Sequence, residues 1–284
     1  LEFRRVLFRS DVNSSYNSLV ASISKRFSKG VTFAANYTWS KSIDDYSQSE
    51  TNYAGETGAN AQYGPDRVLD RARSTFNVPH VFTANGVWEL PVGQGKRLLN
   101  SGGVLDAVLG GWQLGGILTL QQGLPFTIGA NINDAGYTFR ANRPNMKSGI
   151  DINTITSGVS AGCNRAGTAA IAAGTKLGTR DLYFDPCVFD APAAGTIGNV
   201  TRNTIIGPDL RNVNFNANKT FHLTERMALQ FRGEFFNLFN RVQMRNPAAR
   251  VFSNRNGVTA NAGQITESLD ASARQIQLGL KLSF

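Results

Sequence analysis

The chain has 284 residues, a formal net charge of +9, a hydrophobic fraction of 41% and a charged fraction of only 17%. That length can bury a sizeable core, so composition alone admits one or two soluble domains. It excludes a helical membrane protein, because no apolar run reaches the ~20 residues that a membrane helix needs. The closest stretch, Val104–Leu120, is interrupted by Asp106, Gln113 and several glycines. The chain is therefore either soluble or crosses a membrane as strands, which need only about 10 residues each.

The first ten residues differ in character from the rest of the chain. Arg4, Arg5 and Arg9 are scattered through the apolar residues of Leu1–Ser10, so this segment lacks the uninterrupted apolar region of a secretory signal. We expect residues 1–10 to be a non-native segment derived from cloning or assembly. Residues 11–284 are then the part of the chain that folds as a domain.

Seven segments alternate apolar and polar residues with a period of two, which is typical of strands with one apolar face. The clearest is the fifth, where Val213, Phe215 and Ala217 alternate with asparagines. The fourth segment continues more weakly through Pro125 towards Ile128. The predicted strands lie near residues 15–27, 31–40, 78–90, 111–128, 212–221, 227–235 and 275–284.

The connections between these strands alternate between short and long. If successive strands are antiparallel, residues 28–30, 91–110 and 223–225 fall at one end, and residues 44–77, 129–210 and 240–272 fall at the other. Short periplasmic turns and long outer loops are typical of outer-membrane barrels. A soluble β-sandwich has shorter strands and gives no reason for this asymmetry. The pattern therefore favours an all-β fold in which about seven long strands form part of a transmembrane antiparallel barrel.

The predicted faces fit the same interpretation. Arg232 and Glu234 lie on a polar face, which suits a wet lumen and a structural ion pair. The apolar face carries only two lysines, Lys25 and Lys219, and we expect their side chains to reach the lipid headgroups. Aromatic residues fall near both strand ends, as the two lipid–water boundaries favour. The predicted belts contain Phe27, Trp88, Trp112 and Phe221 at the short-turn end and Trp39 at the long-loop end.

The sequence contains few residues that would suit a reactive site. Cys163 and Cys187 lie in one polar loop, where a disulfide is expected rather than two free thiols. His80 and His222 are too far from them in sequence to suggest a zinc site. The charge clusters at Asp44–Asp45, Asp66–Arg67 and Asp70–Arg71 are interpreted as solvated loop charge, since their spacing matches no calcium loop. We expect no catalytic, metal or cofactor site, and therefore no enzyme.

The last strand carries a pattern that resembles the C-terminal signal by which outer-membrane barrels are recognised by their assembly machinery. Its residues are Gln277, Gly279, Leu282 and Phe284.

Residues 11–284 also resemble the TonB-dependent receptors, in particular the Oar-like branch with a carboxypeptidase-regulatory-like domain. The resemblance implies a barrel of 22 strands around a plug, with this chain supplying the final seven strands as a curved open sheet. The plug, which contacts the TonB complex, and the regulatory-like domain would then lie upstream. The segments that carry the resemblance are Lys25–Gly30, Asn36–Ser42, Gly110–Leu114, Gly123–Phe126, Phe184–Pro186, Arg202–Asn203, Gly207–Pro208 and Leu229–Asn240.

The resemblance implies uptake of an unknown substrate across the outer membrane of a Gram-negative-type cell. A plug-free porin or adhesin is the alternative, followed by a soluble β-sandwich that binds carbohydrate. The expected partners are outer-membrane lipid, lipopolysaccharide, the barrel assembly machinery and the TonB complex. The basic residues are scattered over loops and strand ends, which suits phosphorylated lipopolysaccharide. Nucleic-acid binding is not expected, because no recognised module concentrates the charge.

Overall fold

The computed structural model describes residues 12–47, 62, 67–93, 95–98, 103–132, 142–269 and 273–284. Leu1–Ser10 and Asp66, which the sequence analysis singled out, lie outside the described residues. The described chain is dominated by seven long strands, here numbered β1 to β7. They are β1 Ser14–Ser28, β2 Val31–Asp44, β3 His80–Glu89, β4 Trp112–Gln121, β5 Leu210–His222, β6 Ala228–Phe236 and β7 Gln275–Ser283.

The seven strands form one antiparallel sheet in which each strand pairs with the next along the chain. A two-residue strand, Ala72–Arg73, pairs with the end of β2 and returns the chain towards β3. Within the described residues β1 and β7 do not pair with each other, so the sheet is open and each has one unpaired edge. The predicted fold class, a large antiparallel sheet of seven long strands that does not close, is confirmed.

The register places the apolar residues of neighbouring strands opposite one another. Leu19 pairs with Trp39 between β1 and β2, and Leu229 pairs with Leu282 between β6 and β7. Because side chains alternate across a strand, one shared register produces two continuous faces. We call the side that contains these four residues the apolar face and the opposite side the polar face.

The two ends of the sheet differ as predicted. The connections at residues 29–30, 90–111 and 223–227 lie at one end, and those at residues 45–79, 122–209 and 237–274 lie at the other. We call these the short-turn end and the long-loop end. The connection 90–111 contains a short helix that the sequence analysis did not predict, α1, which spans Val104–Leu109. None of the helices in the described ranges has the length and apolar character needed to cross a membrane.

The fourth predicted strand is too long. The sequence pattern continued it towards Ile128, but β4 ends at Gln121. The chain then passes so close to Gly207 that a Cβ on Gly123 would lie 1.9 Å from the Gly207 carbonyl oxygen. Pro125–Phe126 pairs instead with Ile205–Ile206, away from the main sheet. The apolar residues after Gln121 therefore belong to a separate packed region.

The long connections fold together at the long-loop end. We call the described part of them the cap: residues 45–47, 62, 67–79, 122–132, 142–209 and 237–269. A parallel pairing of Arg250–Phe252 with Gly129–Ala130 joins two of these connections. The hydrophobic core of the described chain lies here and not between two sheets. Its fully enclosed side chains include Phe126, Ile128, Phe184, Ala130, Ala249 and Val251.

Candidate functional site

The polar face of the sheet presents hydrogen-bonding and charged groups along its length. Arg232 and Glu234 both lie on this face, where the Arg232 Nη1 and Glu234 Oε1 atoms are 3.8 Å apart. Asn218 is the register partner of Arg232, and Asn216 is that of Glu234. Such a surface is suited to water and polar solutes. Beside it lies an open cavity of about 300 Å³ whose polar lining residues are Gln230, Arg232, Glu234, Gln277 and Lys281.

The C-terminal pattern occupies this same edge of the sheet. Gln277 pairs with Glu234, and Gly279 pairs with Arg232. Leu282 lies on the apolar face opposite Leu229, and the Phe284 side chain is 96% exposed beyond the end of β7. Gln277 and Gly279 thus lie beside the predicted lumen pair, Arg232 and Glu234. Leu282 and Phe284 remain on the outer side of the sheet.

The aromatic residues of the predicted belts lie at two levels of the sheet. Trp88 pairs with Val31 near the short-turn end, where Trp112 also begins β4. Trp39 pairs with His80 near the long-loop end. The Trp39 side chain is 55% exposed and that of Phe27 is 58% exposed, so both rings are accessible on the outside of the sheet. Phe221 lies at the short-turn end, opposite Leu229.

Lys219 does not extend towards the lipid headgroups, where the sequence analysis expected its side chain. It is 4% exposed, and its Nζ donates hydrogen bonds to the carbonyl oxygens of Val108, at 3.1 Å, and of Gly110. The ammonium also lies 5.6 Å from the Trp112 ring centroid and 4.9 Å from that of Phe221. The cation is therefore satisfied by the end of α1 and two aromatic faces. The expectation of a headgroup-reaching side chain is wrong here because α1 covers it.

Three aspartates of the clusters interpreted as solvated loop charge are in fact buried, whereas Arg71 is exposed as predicted. Asp44 is 2% exposed, Asp45 8% and Asp70 1%. Arg143 donates from Nη1 to Asp70 Oδ1 at 2.7 Å, and Arg202 forms an ion pair with Asp44. The interpretation as solvated charge is wrong for Asp44 and Asp70 because the cations that pair with them come from a distant part of the chain. Asp45 instead accepts a hydrogen bond from the Asn13 backbone N–H at 2.8 Å. Sequence spacing gives no sign of pairs formed across separate loops.

The two ion pairs are held within one hydrogen-bonded network that joins two of the long connections, 45–79 and 122–209, to β2. Arg202 Nε donates to the Asp70 carbonyl oxygen at 3.1 Å, and its Nη1 donates to Ser47 Oγ at 2.8 Å. The Gln62 backbone N–H donates to Asp70 Oδ2 at 3.0 Å. Buried charges are tolerated only when they are paired and their remaining hydrogen bonds are made. This network, at the junction of sheet and cap, meets that condition at Asp44, Asp70 and Arg202, whereas Arg143 Nε is buried without a hydrogen-bond partner among the described residues.

Burial also changes the ionisation of cap residues. Desolvation lowers the pKa of the Arg143 guanidinium, and the adjacent Asp70 carboxylate opposes that shift. Desolvation, with a further contribution from Asp209, raises the pKa of Tyr183 to about 12. The Tyr183 hydroxyl donates to the Ile206 carbonyl oxygen at 3.0 Å. The Tyr183 hydroxyl is therefore protonated at neutral pH and serves as a fixed donor within the cap.

Cys163 and Cys187 are joined by a disulfide, with Cα atoms 5.4 Å apart. That separation lies within the range that disulfides require. Cys187 is buried against Ile171, Leu177 and Leu182, a small cluster beside the main cap core. The disulfide thus fixes one part of the long 122–209 connection against another.

The cap was the part of the molecule that sequence reasoning missed. Its apolar residues show no regular period, so no strand or helix pattern marked them. One available signal was the clustering of large apolar residues in a segment interpreted as a polar loop, including Phe184, Val188 and Phe189. Across the described residues, no group of three or more His, Cys, Asp or Glu side chains is placed to hold a metal ion.

Comparison with known proteins gives one match. The sequence profile of the family described as "Outer membrane beta barrel domain" matches residues 6–277. No curated protein matches the chain, and no solved structure does. The match covers every long strand at least in part and all of the cap.

Proposed function

The chain belongs to the outer membrane β-barrel domain family, and from this premise we propose that it is part of a TonB-dependent receptor. In this proposal, the receptor takes up a substrate across the outer membrane of a Gram-negative-type cell. The apolar face contacts lipid, and the polar face lines the lumen. The short-turn end faces the periplasm, and the cap faces the cell exterior, as is usual for such barrels.

One observation carries the barrel part of this proposal: a single register separates a continuous apolar face from a polar face along all seven strands. In an outer-membrane barrel, the lipid-facing and lumen-facing residues alternate in this way. The open sheet adds to the argument, because strands β1 and β7 each have an edge with unpaired N–H and C=O groups. Backbone groups at membrane depth must be paired, so the sheet requires further strands to close a barrel.

The more specific assignment to TonB-dependent uptake rests on the resemblance of residues 11–284 to that receptor family. Two features are compatible with a receptor. The lumen side carries the Arg232–Glu234 pair and amide side chains that a polar substrate could contact. The cap has its own core and a disulfide, so it can present a defined outer surface for a substrate. We propose no catalytic role for any residue.

The proposed partners follow from the same orientation. Lipid contacts the apolar face, and lipopolysaccharide surrounds the long-loop end, where Arg211 lies on the apolar face opposite Leu120. The barrel assembly machinery recognises the pattern that ends at Phe284. The TonB complex acts through a plug contributed by the rest of the receptor.

Two measurements on the product of the gene test the proposal. In cells, chemical cross-linking should give a complex of this protein with TonB that disappears when TonB is deleted. In planar bilayers, the purified protein should remain closed until denaturant displaces the plug. Stable open channels without denaturant, together with no TonB adduct, would instead identify a plug-free porin. Recovery of the protein in a soluble fraction would contradict the membrane assignment itself.

A further inference from the structure

The short helix α1 lies against the apolar face of the sheet. Lys219, which donates to the carbonyl oxygens of Val108 and Gly110, is on the apolar face opposite Phe231. Trp112 Nε1 donates to the same Val108 carbonyl oxygen at 3.0 Å. These contacts place the end of α1 at the outer surface of β4 and β5, near the short-turn end.

The apolar side chains of α1 are directed away from the protein. Val104, Leu105, Val108 and Leu109 share one side of the helix, and their exposed fractions are 80%, 64%, 57% and 47%. Asp106, the one charged residue of α1, instead lies close to the backbone of Gly93 and Gly110, where added Cβ atoms would approach its Oδ1 within 2.9 and 2.5 Å. The orientation of α1 is therefore fixed, with its apolar side outward.

We propose that α1 is an interfacial anchor that inserts its apolar side into the headgroup–acyl boundary of the membrane beside the barrel. Lipid is the occupant because the apolar side of α1 continues the apolar face of the sheet, which lipid covers in an outer-membrane barrel. Trp112 and Phe221, which flank the attachment point, are aromatic residues of the kind that lie at this boundary. Amphipathic helices bind membranes by burying one apolar side in this boundary.

Lys219 is the positioning residue for this anchor. A helix of six residues is not stable alone and depends on tertiary contacts. The Lys219 ammonium supplies such a contact at the helix C-terminus, where cations are favoured. Without it, α1 would lose both hydrogen bonds to its C-terminal carbonyl oxygens and would keep the Trp112 hydrogen bond and the packing of Asp106 beside Gly93 and Gly110. The inference rests on the barrel assignment and not on TonB dependence, so it can hold or fail independently of the transport proposal.

The experiment uses single introduced thiols on the protein purified from outer membranes. Leu105→Cys places a fluorophore on the apolar side of α1, and Ala107→Cys is the matched control outside that side of the same helix. Both variants are reconstituted into vesicles of phosphatidylethanolamine and phosphatidylglycerol that carry brominated acyl chains. We expect several-fold stronger quenching of the label at position 105. Equal quenching at both positions would overturn the proposal.

A second variant separates insertion from misfolding. Lys219→Met should reduce quenching at position 105 while the far-ultraviolet circular dichroism spectrum and the cap disulfide remain unchanged. If quenching at position 105 is unaltered in Lys219→Met, this lysine does not position α1. A label at position 105 that is shielded in cells but unquenched by brominated lipid in vesicles would indicate a protein partner and overturn the lipid assignment.

Discussion

Arg202 pairs with Asp44 across 158 residues of sequence and joins the cap to the last residue of β2. Its guanidinium also donates to the Asp44 carbonyl oxygen at 3.0 Å. A single side chain therefore holds both the backbone and the carboxylate at the point where the sheet ends. The long 122–209 connection is thereby attached to a strand with which it does not pair in the sheet.

Replacing Asp44 should loosen the attachment of the cap. Asp44→Ala leaves the Arg202 charge buried without its partner, which typically costs about 3–5 kcal/mol. We expect faster proteolysis of the 122–209 connection in membranes that contain this variant. Arg211→Ala is the control, because the Arg211–Asp209 pair is largely exposed and such pairs contribute about 0–1 kcal/mol. If both variants are cleaved at the same rate, the buried Arg202–Asp44 pair does not hold the cap.

The disulfide should protect both cysteines from thiol reagents in unreduced outer membranes. Cys163 and Cys187 should label only after reduction, while an added thiol at the exposed position Ser157 should label at once and verify access. Exchanging both cysteines for serine should destabilise the cap by about 3 kcal/mol, because the cross-link restricts the unfolded chain. Labelling of the native protein without a reductant would contradict this.

Cap stability should fall at high pH. The folded-state pKa of Tyr183 is raised to about 12, whereas an unfolded tyrosine titrates near ~10. Above pH ~10 the unfolded state binds fewer protons than the folded state, so the free energy of unfolding decreases as pH rises. This contribution is complete below pH ~10 and is lost as pH rises through the folded pKa of about 12.

Tyr183→Phe tests this pH dependence directly. Denaturant unfolding, followed by near-ultraviolet circular dichroism, should show a shallower loss of stability with pH in this variant than in the native protein. Tyr16→Phe, which alters an exposed residue of β1, is the matched control and should leave the profile unchanged. Identical profiles for all three proteins would show that Tyr183 does not remain protonated in the folded cap.

Residues 11–284 produced alone should aggregate in water. The unpaired edges of β1 and β7 are open to pairing with other chains, and the apolar face is an extended exposed patch. Gel filtration should show large assemblies without detergent, whereas the same material refolded in detergent micelles should remain dispersed. A soluble monomer that unfolds cooperatively in water would refute both the aggregation and the lipid-facing role of the apolar face.

The sequence by itself determined the seven strands, the pairing order of the sheet and the difference between its two ends. Period-two alternation is a local property that assigns each residue to a face, and the connection lengths assign each end. This is why Leu19 and Leu282 could be placed on one face although 262 residues separate them. The predicted disulfide could also be proposed from two cysteines in one loop.

Only the tertiary structure decided what the long connections do. The partners of Asp44 and Asp70 come from distant parts of the chain, and a buried ion pair between remote loops has no local pattern. The helix α1 was also missed, because six residues are too few for a helical period to emerge from an otherwise irregular connection. Lys219 was assigned to the correct face, but its environment depended on that unpredicted helix. The alternation of apolar and polar residues determines the face to which a side chain points, whereas long-range packing determines which groups it contacts on that face.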